Sequence, residues 1–156
     1  MTEIVNTIYG KVKELTQNGL YIFKGIPYAA PPVGELRFSP PIPPKRWEDV
    51  YDATDFGPEA PQIVNEQGIG TNSPQPQNED CLKLNIWTPG IDRQKRPVMF
   101  WIHGGGFVSG SGSRPKYEGI SLASRGKVVL VTINYRIGIL GLLSHPILTD
   151  KKTGYS

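Results

Sequence analysis

Pro97-Val98-Met99-Phe100-Trp101-Ile102-His103-Gly104-Gly105-Gly106-Phe107 is the stretch on which the reading of this chain turns. From Pro97 to Ile102 it carries no charge, and it reads as a buried strand. Three glycines then follow in a row. A glycine triplet at a strand end does little for packing. It lets bare backbone N–H groups approach another atom and adopts dihedrals that other residues resist. Three uses compete. The first is a plain turn. The second is a phosphate-cradling loop, which requires G-x-G-x-x-G or G-x-x-x-x-G-K-[ST]. Neither pattern fits, because Ser109 stands where the last glycine of the first should be and no Gly-Lys-Ser/Thr occurs. The third is an oxyanion hole, for which a strand, a His-Gly-Gly-Gly run and an aromatic residue are the signature. His103 to Phe107 matches it, and this is the leading reading.

Downstream, Lys127 to Tyr135 is a second apolar, β-branched run that reads as a buried strand. Tyr117 to Arg125 between them is the only predicted helix, short and interrupted by Gly119. Strand, helix and strand make a βαβ unit, which predicts parallel pairing. Upstream, Gly90 to Arg96 is a charged turn and Cys81 to Thr88 alternates as a strand. Gly57 to Gln77 is a long polar loop, of the kind that is usually functional or mobile. Val50 to Thr54 reads as a short strand. Ala29 to Pro41 holds too much proline for a helix or a central strand, and reads as a wrap anchored by Leu36, Phe38 and Trp47. Ile4 to Leu15 and Leu20 to Tyr28, either side of Gln17-Asn18-Gly19, predict an antiparallel hairpin. Ile137 to Leu143 is an apolar tail, and no internal repeat is present.

The chain has 156 residues, 17 basic and 14 acidic, for a net charge of +3. That length suits one domain with a real core. With no basic cluster beyond Lys45-Arg46 and Lys151-Lys152, nucleic acid is not an expected partner. No apolar run approaches the ~20 residues of a membrane helix. Residues Met1 to Asn6 show neither a basic n-region nor an apolar h-region. The single Cys81 cannot form an internal disulfide, which suits a reducing cytosol, so a cytoplasmic location is expected. Nothing in the residues calls for a metal or a cofactor.

Two things are missing. A parallel sheet needs cover on both faces, and one short helix cannot supply it. The chain is therefore expected to be the N-terminal part of something larger. An oxyanion hole also serves a nucleophile, in α/β-hydrolases the Ser of G-x-S-x-G, and no such run occurs. Ser109-Gly110-Ser111-Gly112-Ser113 has its glycines two apart and reads as loop. His103 beside the triplet is expected to hold the loop with Gly104, and His145 before Pro146 to lie on the surface. No catalytic triad can be assembled from these residues.

Several ordered blocks spell a family. They are Phe23-Lys24-Gly25-Ile26-Pro27-Tyr28-Ala29 with Pro31-Pro32-Val33-Gly34, Leu36-Arg37-Phe38 with Trp47, and Asn78-Glu79-Asp80-Cys81-Leu82 with Leu84-Asn85-Ile86. The later ones are Val98 to Phe107 and Val131 to Gly138. Over nearly its whole length the chain resembles the N-terminal portion of type B carboxylesterases of the bacterial para-nitrobenzyl esterase kind, with cholinesterases as more distant relatives. The resemblance implies an α/β class, the N-terminal part of an α/β-hydrolase fold, with an antiparallel hairpin leading into a large mixed sheet. Residues 1–156 would then be one segment of a single domain, cut before the nucleophile. It implies ester hydrolysis through an acyl-enzyme, with Gly105 and Gly106 donating N–H groups to the oxyanion and Phe107 lining a pocket for a small apolar ester. The triad and a third donor would lie beyond the chain, which would be inactive alone. It implies a structural ion pair between Arg37 and Glu79, buried and costly to break singly. Arg136 is a structural candidate on the same basis.

The departures are informative. Many relatives tie the Cys of Glu-Asp-Cys-Leu to an upstream Cys, but the matching position is Ala60, so Cys81 is expected to be a buried free thiol and the loop looser. Lys83 stands where relatives more often have an aromatic residue or Thr. Cholinesterases carry a Trp in the long loop that stacks on choline. Between Gly57 and Asp80 there is no aromatic residue, so a quaternary ammonium substrate is not expected. A non-catalytic protein on the same fold is the alternative. It predicts extracellular features such as paired cysteines, which are absent. An inert gene remnant is compatible with the esterase lineage.

Overall fold

The computed structural model describes residues 3–63 and 75–146. Two sheets organise them. A small one has the order β1-β2-β5, from Ile4–Asn6, Lys11–Lys13 and Tyr51–Asp52. The larger has five strands in the order β3-β4-β6-β8-β7, from Leu15–Gln17, Leu20–Pro27, Lys83–Thr88, Val129–Ile133 and Val98–Ile102. All its pairs are antiparallel except β7 with β8, which run parallel from Val98 opposite Val129 to Ile102 opposite Ile133. Helix α1, Ile120–Gly126, makes the crossover between them, as the βαβ reading predicts.

The N-terminal hairpin is shorter than its sequence suggests. Asn18 and Gly19 both have positive φ, at 53° and 74°, which closes a tight turn between β3 and β4. Upstream of Leu15, however, the chain leaves that hairpin for the small sheet. The switch falls at Glu14, which is 0% exposed and accepts hydrogen bonds from the Glu3 N–H at 2.8 Å and the Thr16 hydroxyl at 3.0 Å. A buried carboxylate needs such partners, and alternation of side chains does not report them. Of the three residues expected to anchor the Pro-rich wrap, Trp47 seats on the small sheet, its indole donating to the Lys11 carbonyl at 2.8 Å and its ring 5.3 Å from that of Tyr51, while Leu36 and Phe38 are only half-buried.

In the larger sheet β4 and β6 are packed on both faces. On one, Leu20, Ile22, Trp87 and Leu130 meet Ala123 of α1. On the other, Phe23 and Ile86 meet Val12 and Ala53 of the small sheet. A third cluster joins Ala29, Ala60, Cys81, Leu82 and Ile137. Gly119, read from sequence as interrupting the helix, lies just before it at the N-cap. Any Cβ there would strike the Trp87 ring, so glycine allows close approach of the helix start to the sheet. The apolar segment after β8 also holds a short helix, α2, Gly138–Leu142, which the sequence reading left as tail.

The expected burial of β7 is overturned. Val98 to Ile102 reads as a buried strand, yet all five residues are exposed, from 41% at Trp101 to 63% at Val98. The reason is position. β7 is the sheet edge, and α1 packs over β4, β6 and β8 rather than over it. Among the described residues the aromatic partner of β7 is Tyr117, 5.2 Å from the Trp101 ring. An apolar run reports a strand built to be covered, not what covers it.

Candidate functional site

β7 ends at Ile102 and delivers His103 into the interior, 2% exposed. The His103 ring stacks on Tyr135 at 4.4 Å and 20°, and the Tyr135 hydroxyl donates to the His103 carbonyl at 2.8 Å. Nδ1 of His103 lies 3.1 Å from the Gly104 carbonyl. Burial pushes the imidazole below its ordinary 6.5, and the charge on Arg114 acts in the same direction. The ring is thus a neutral strut at neutral pH.

The glycines then turn the chain sharply outward. Gly105, Gly106 and Phe107 have φ of 140°, 60° and 63°. A Cβ on Gly105 would overlap the Ser109 carbonyl, so this position needs glycine for space as well as for dihedral. The Gly105 carbonyl closes the turn by accepting the Val108 and Ser109 N–H groups, each at 3.1 Å. The N–H groups of Gly105 and Gly106 have no acceptor among the described residues, and both glycines are exposed. Phe107 presents its ring to solvent at 62% exposure, while its carbonyl takes the Gly138 N–H at 2.7 Å and so ties α2 to the loop.

Behind this turn lies a polar frame that the sequence reading missed. Asn134, 2% exposed, accepts from the Gly112 N–H at 2.7 Å and the Ser111 hydroxyl at 3.2 Å, and donates to the Pro58 carbonyl at 2.9 Å. Asn85 accepts the Gly25 N–H at 2.9 Å and donates to Thr132, whose hydroxyl reaches the Gly112 carbonyl at 3.0 Å. The available signal was an amide on the buried face of a strand, where burial demands a partner. Ser111 and Ser113 are buried at 0% and 3%, which fits their reading as loop residues.

Gln62 was also missed. Its amide oxygen accepts the Gly110 N–H at 2.8 Å, and its nitrogen donates to the carbonyls of Gly110 and Ala60, both at 3.0 Å. Gly110 in turn abuts the His103 ring and the Gly104 carbonyl so closely that a Cβ would strike both.

Arg37 and Glu79 meet in a two-bond pair, at 2.6 Å and 2.7 Å. The pair is not buried as the resemblance implied: the side chains are 43% and 27% exposed. It lines a small pocket with Cys81, Arg136 and Ile137, and solvent reaches the pair from outside. Lys83 pairs with Asp80 at 3.0 Å. Ala60 and Cys81 lie in one cluster, 2% and 0% exposed. The described stems of the long loop are held by backbone bonds between Glu59 and Pro76 and between Asn78 and Glu59, at 3.0 and 2.9 Å. Most of that loop's middle lies outside the described residues, as do Lys151-Lys152 and Ser156. His145 is exposed. Among the described residues no cluster of His, Cys, Asp or Glu could hold a metal, and no helix is long and apolar enough to cross a membrane.

A mixed sheet whose parallel edge strand feeds a glycine turn is shared with solved carboxylesterases, and it is the N-terminal portion of an α/β-hydrolase fold. The carboxylesterase family model matches residues 2–153, and the chain belongs to that family. It is 50% identical over 141 residues to the para-nitrobenzyl esterase of Bacillus subtilis (strain 168), covering 90% of this chain and 29% of that protein. It is 46% identical over 144 residues to the phenmedipham hydrolase of Pseudarthrobacter oxydans, again covering 90% and 29%. The solved structure of a thermophilic PNB esterase superposes with a TM-score of 0.85 at 50% identity, covering 92% of this chain and 30% of that one. The chain thus spans under a third of the length of the relatives it matches.

Proposed function

We propose that this chain supplies the oxyanion-hole loop of a serine carboxylic-ester hydrolase. The observation that carries the reading is the pair of N–H groups on Gly105 and Gly106, without an acceptor among the described residues and carried on a turn closed by the Gly105 carbonyl. When an alkoxide attacks an ester carbonyl, negative charge collects on the carbonyl oxygen. Donors already in place stabilise that charge without reorganising, which lowers the barrier to the tetrahedral intermediate and the acyl-enzyme after it. His103 and Gly104 hold the loop, and Phe107 offers an apolar wall beside the donors. With no aromatic residue from Gly57 to Asp80 to hold a quaternary ammonium, the reading is a small apolar ester. The para-nitrobenzyl ester in the name of its 50% identical relative is the first substrate to try.

No G-x-S-x-G occurs in these 156 residues, so the chain by itself lacks the nucleophile on this reading. The test uses the product of the full reading frame that carries them. Gly105→Pro deletes one donor and also displaces the turn, so kcat for a p-nitrophenyl ester is expected to fall at least about 10²–10³-fold. An unchanged kcat refutes the donor role. Serine-inhibitor-sensitive hydrolysis of p-nitrophenyl acetate by the 156-residue chain alone would refute its inactivity.

A further inference from the structure

The geometry points to Gln62 as a positioning residue for the oxyanion-hole turn, acting from the long loop through Gly110. This rests on the esterase reading of Gly105 and Gly106. Gln62 grips both backbone polar groups of Gly110, as a neighbouring strand would. Its amide oxygen takes the Gly110 N–H at 2.8 Å and its nitrogen reaches the Gly110 carbonyl at 3.0 Å. The other amide proton goes to the Ala60 carbonyl at 3.0 Å, and the Gln62 backbone N–H donates to the Gln77 side chain at 2.9 Å. One donor and two acceptors therefore surround the amide, which decides its orientation on chemistry alone.

The grip reaches the glycines because Gly110 is buried, has a φ of 123°, and lies against the His103 ring and the Gly104 carbonyl. Ser109, its neighbour, donates its N–H to the Gly105 carbonyl at 3.1 Å. Gln62, Gly110, Ser109 and Gly105 thus form a continuous line of contacts from loop to donor. Removing the amide leaves the N–H and C=O of Gly110 without these partners and lets the turn relax. No other side chain replaces it. Glu has no donor for the two carbonyls and sets a carboxylate against them; Asn is a methylene too short; Met and Leu have no amide.

The experiment compares Gln62→Ala, Gln62→Glu and Val12→Ala in the full reading-frame product. Val12 is fully buried in the cluster between the two sheets, so its truncation lowers stability without touching the turn. For Gln62→Ala, kcat on a p-nitrophenyl ester is expected to fall ~10–100-fold with KM within about threefold, the scale of a small misplacement of preorganised groups. Hydrogen exchange of the peptide carrying Gly104 to Gly110 should quicken at the same time. Gln62→Glu keeps only the acceptor, so it should lose nearly as much. Val12→Ala should lower Tm and leave kcat unaltered. Unchanged kcat in Gln62→Ala overturns the proposal, whether or not exchange quickens. So does a loss that Val12→Ala reproduces at equal Tm. If the parent hydrolyses no ester, the proposed function fails. The exchange measurement then decides the positioning claim: unchanged exchange at the Val108 and Ser109 amides, which close the turn on the Gly105 carbonyl, overturns it in Gln62→Ala, and quickened exchange there supports it.

Discussion

Cys81 shows how much one environment can decide. It is 0% exposed beside Ala60, and burial pushes its thiol up to about 11. The thiolate is the reactive form, so native Cys81 should react with a disulfide reagent at pH 8 at least about a hundredfold more slowly than in urea. Equal rates would contradict the burial. Gly105 is the other residue that admits little change. Its Cβ would overlap the Ser109 carbonyl, so even Gly105→Ala should displace the turn.

At the scale of elements, Asn85 ties β4 to β8 across β6. It accepts the Gly25 N–H, where β4 shifts register between Phe23 and Ile26, and donates to Thr132 on β8. Asn85→Ala leaves a buried N–H and a buried hydroxyl oxygen without this partner, and should cost about 1–3 kcal/mol in urea unfolding. Leu in the same place would restore volume but not the bonds. The Arg37–Glu79 pair ties the Pro-rich wrap to the base of the long loop. The hydrogen-bonded Arg37 holds the Glu79 carboxyl below its ordinary 4.5. Its contribution to stability is therefore fully present above that ordinary value and is lost as pH falls through the lower folded one. Glu79→Gln should flatten the acid limb of stability below about pH 4.5 and leave the slope above neutrality unaltered. An unaltered acid limb would show that the pair contributes nothing. The hairpin turn and the βαβ crossover were legible because Asn18-Gly19 and two β-branched runs around a short helix are local signals. The departure at Glu14 was not, since a strand's choice of sheet depends on partners far along the chain.

For the whole molecule the open question is the β7 edge. Five uncharged side chains, all at least 41% exposed, lie on a strand without proline or bulge. Protected edges carry such devices, and an unprotected edge pairs with other chains. The 156-residue chain by itself should self-associate with rising concentration in sedimentation velocity, and Phe100→Lys at the centre of the strand should reduce it. A monomer at every concentration tried would contradict this.

The sequence by itself determined the family blocks, the parallel β7–α1–β8 unit, the Asn-Gly turn and the glycine triplet at a strand end. Each is encoded within a few residues, as periodicity or as a backbone conformation that glycine alone tolerates easily. Only the tertiary structure decided that β7 lies exposed at the edge, that Arg37 and Glu79 meet near solvent, and that Gln62, Asn85 and Asn134 frame the loop. Those facts depend on which distant groups come within hydrogen-bond reach. A polar side chain's partner in a folded protein is chosen by packing, and its own neighbours in the chain do not name it.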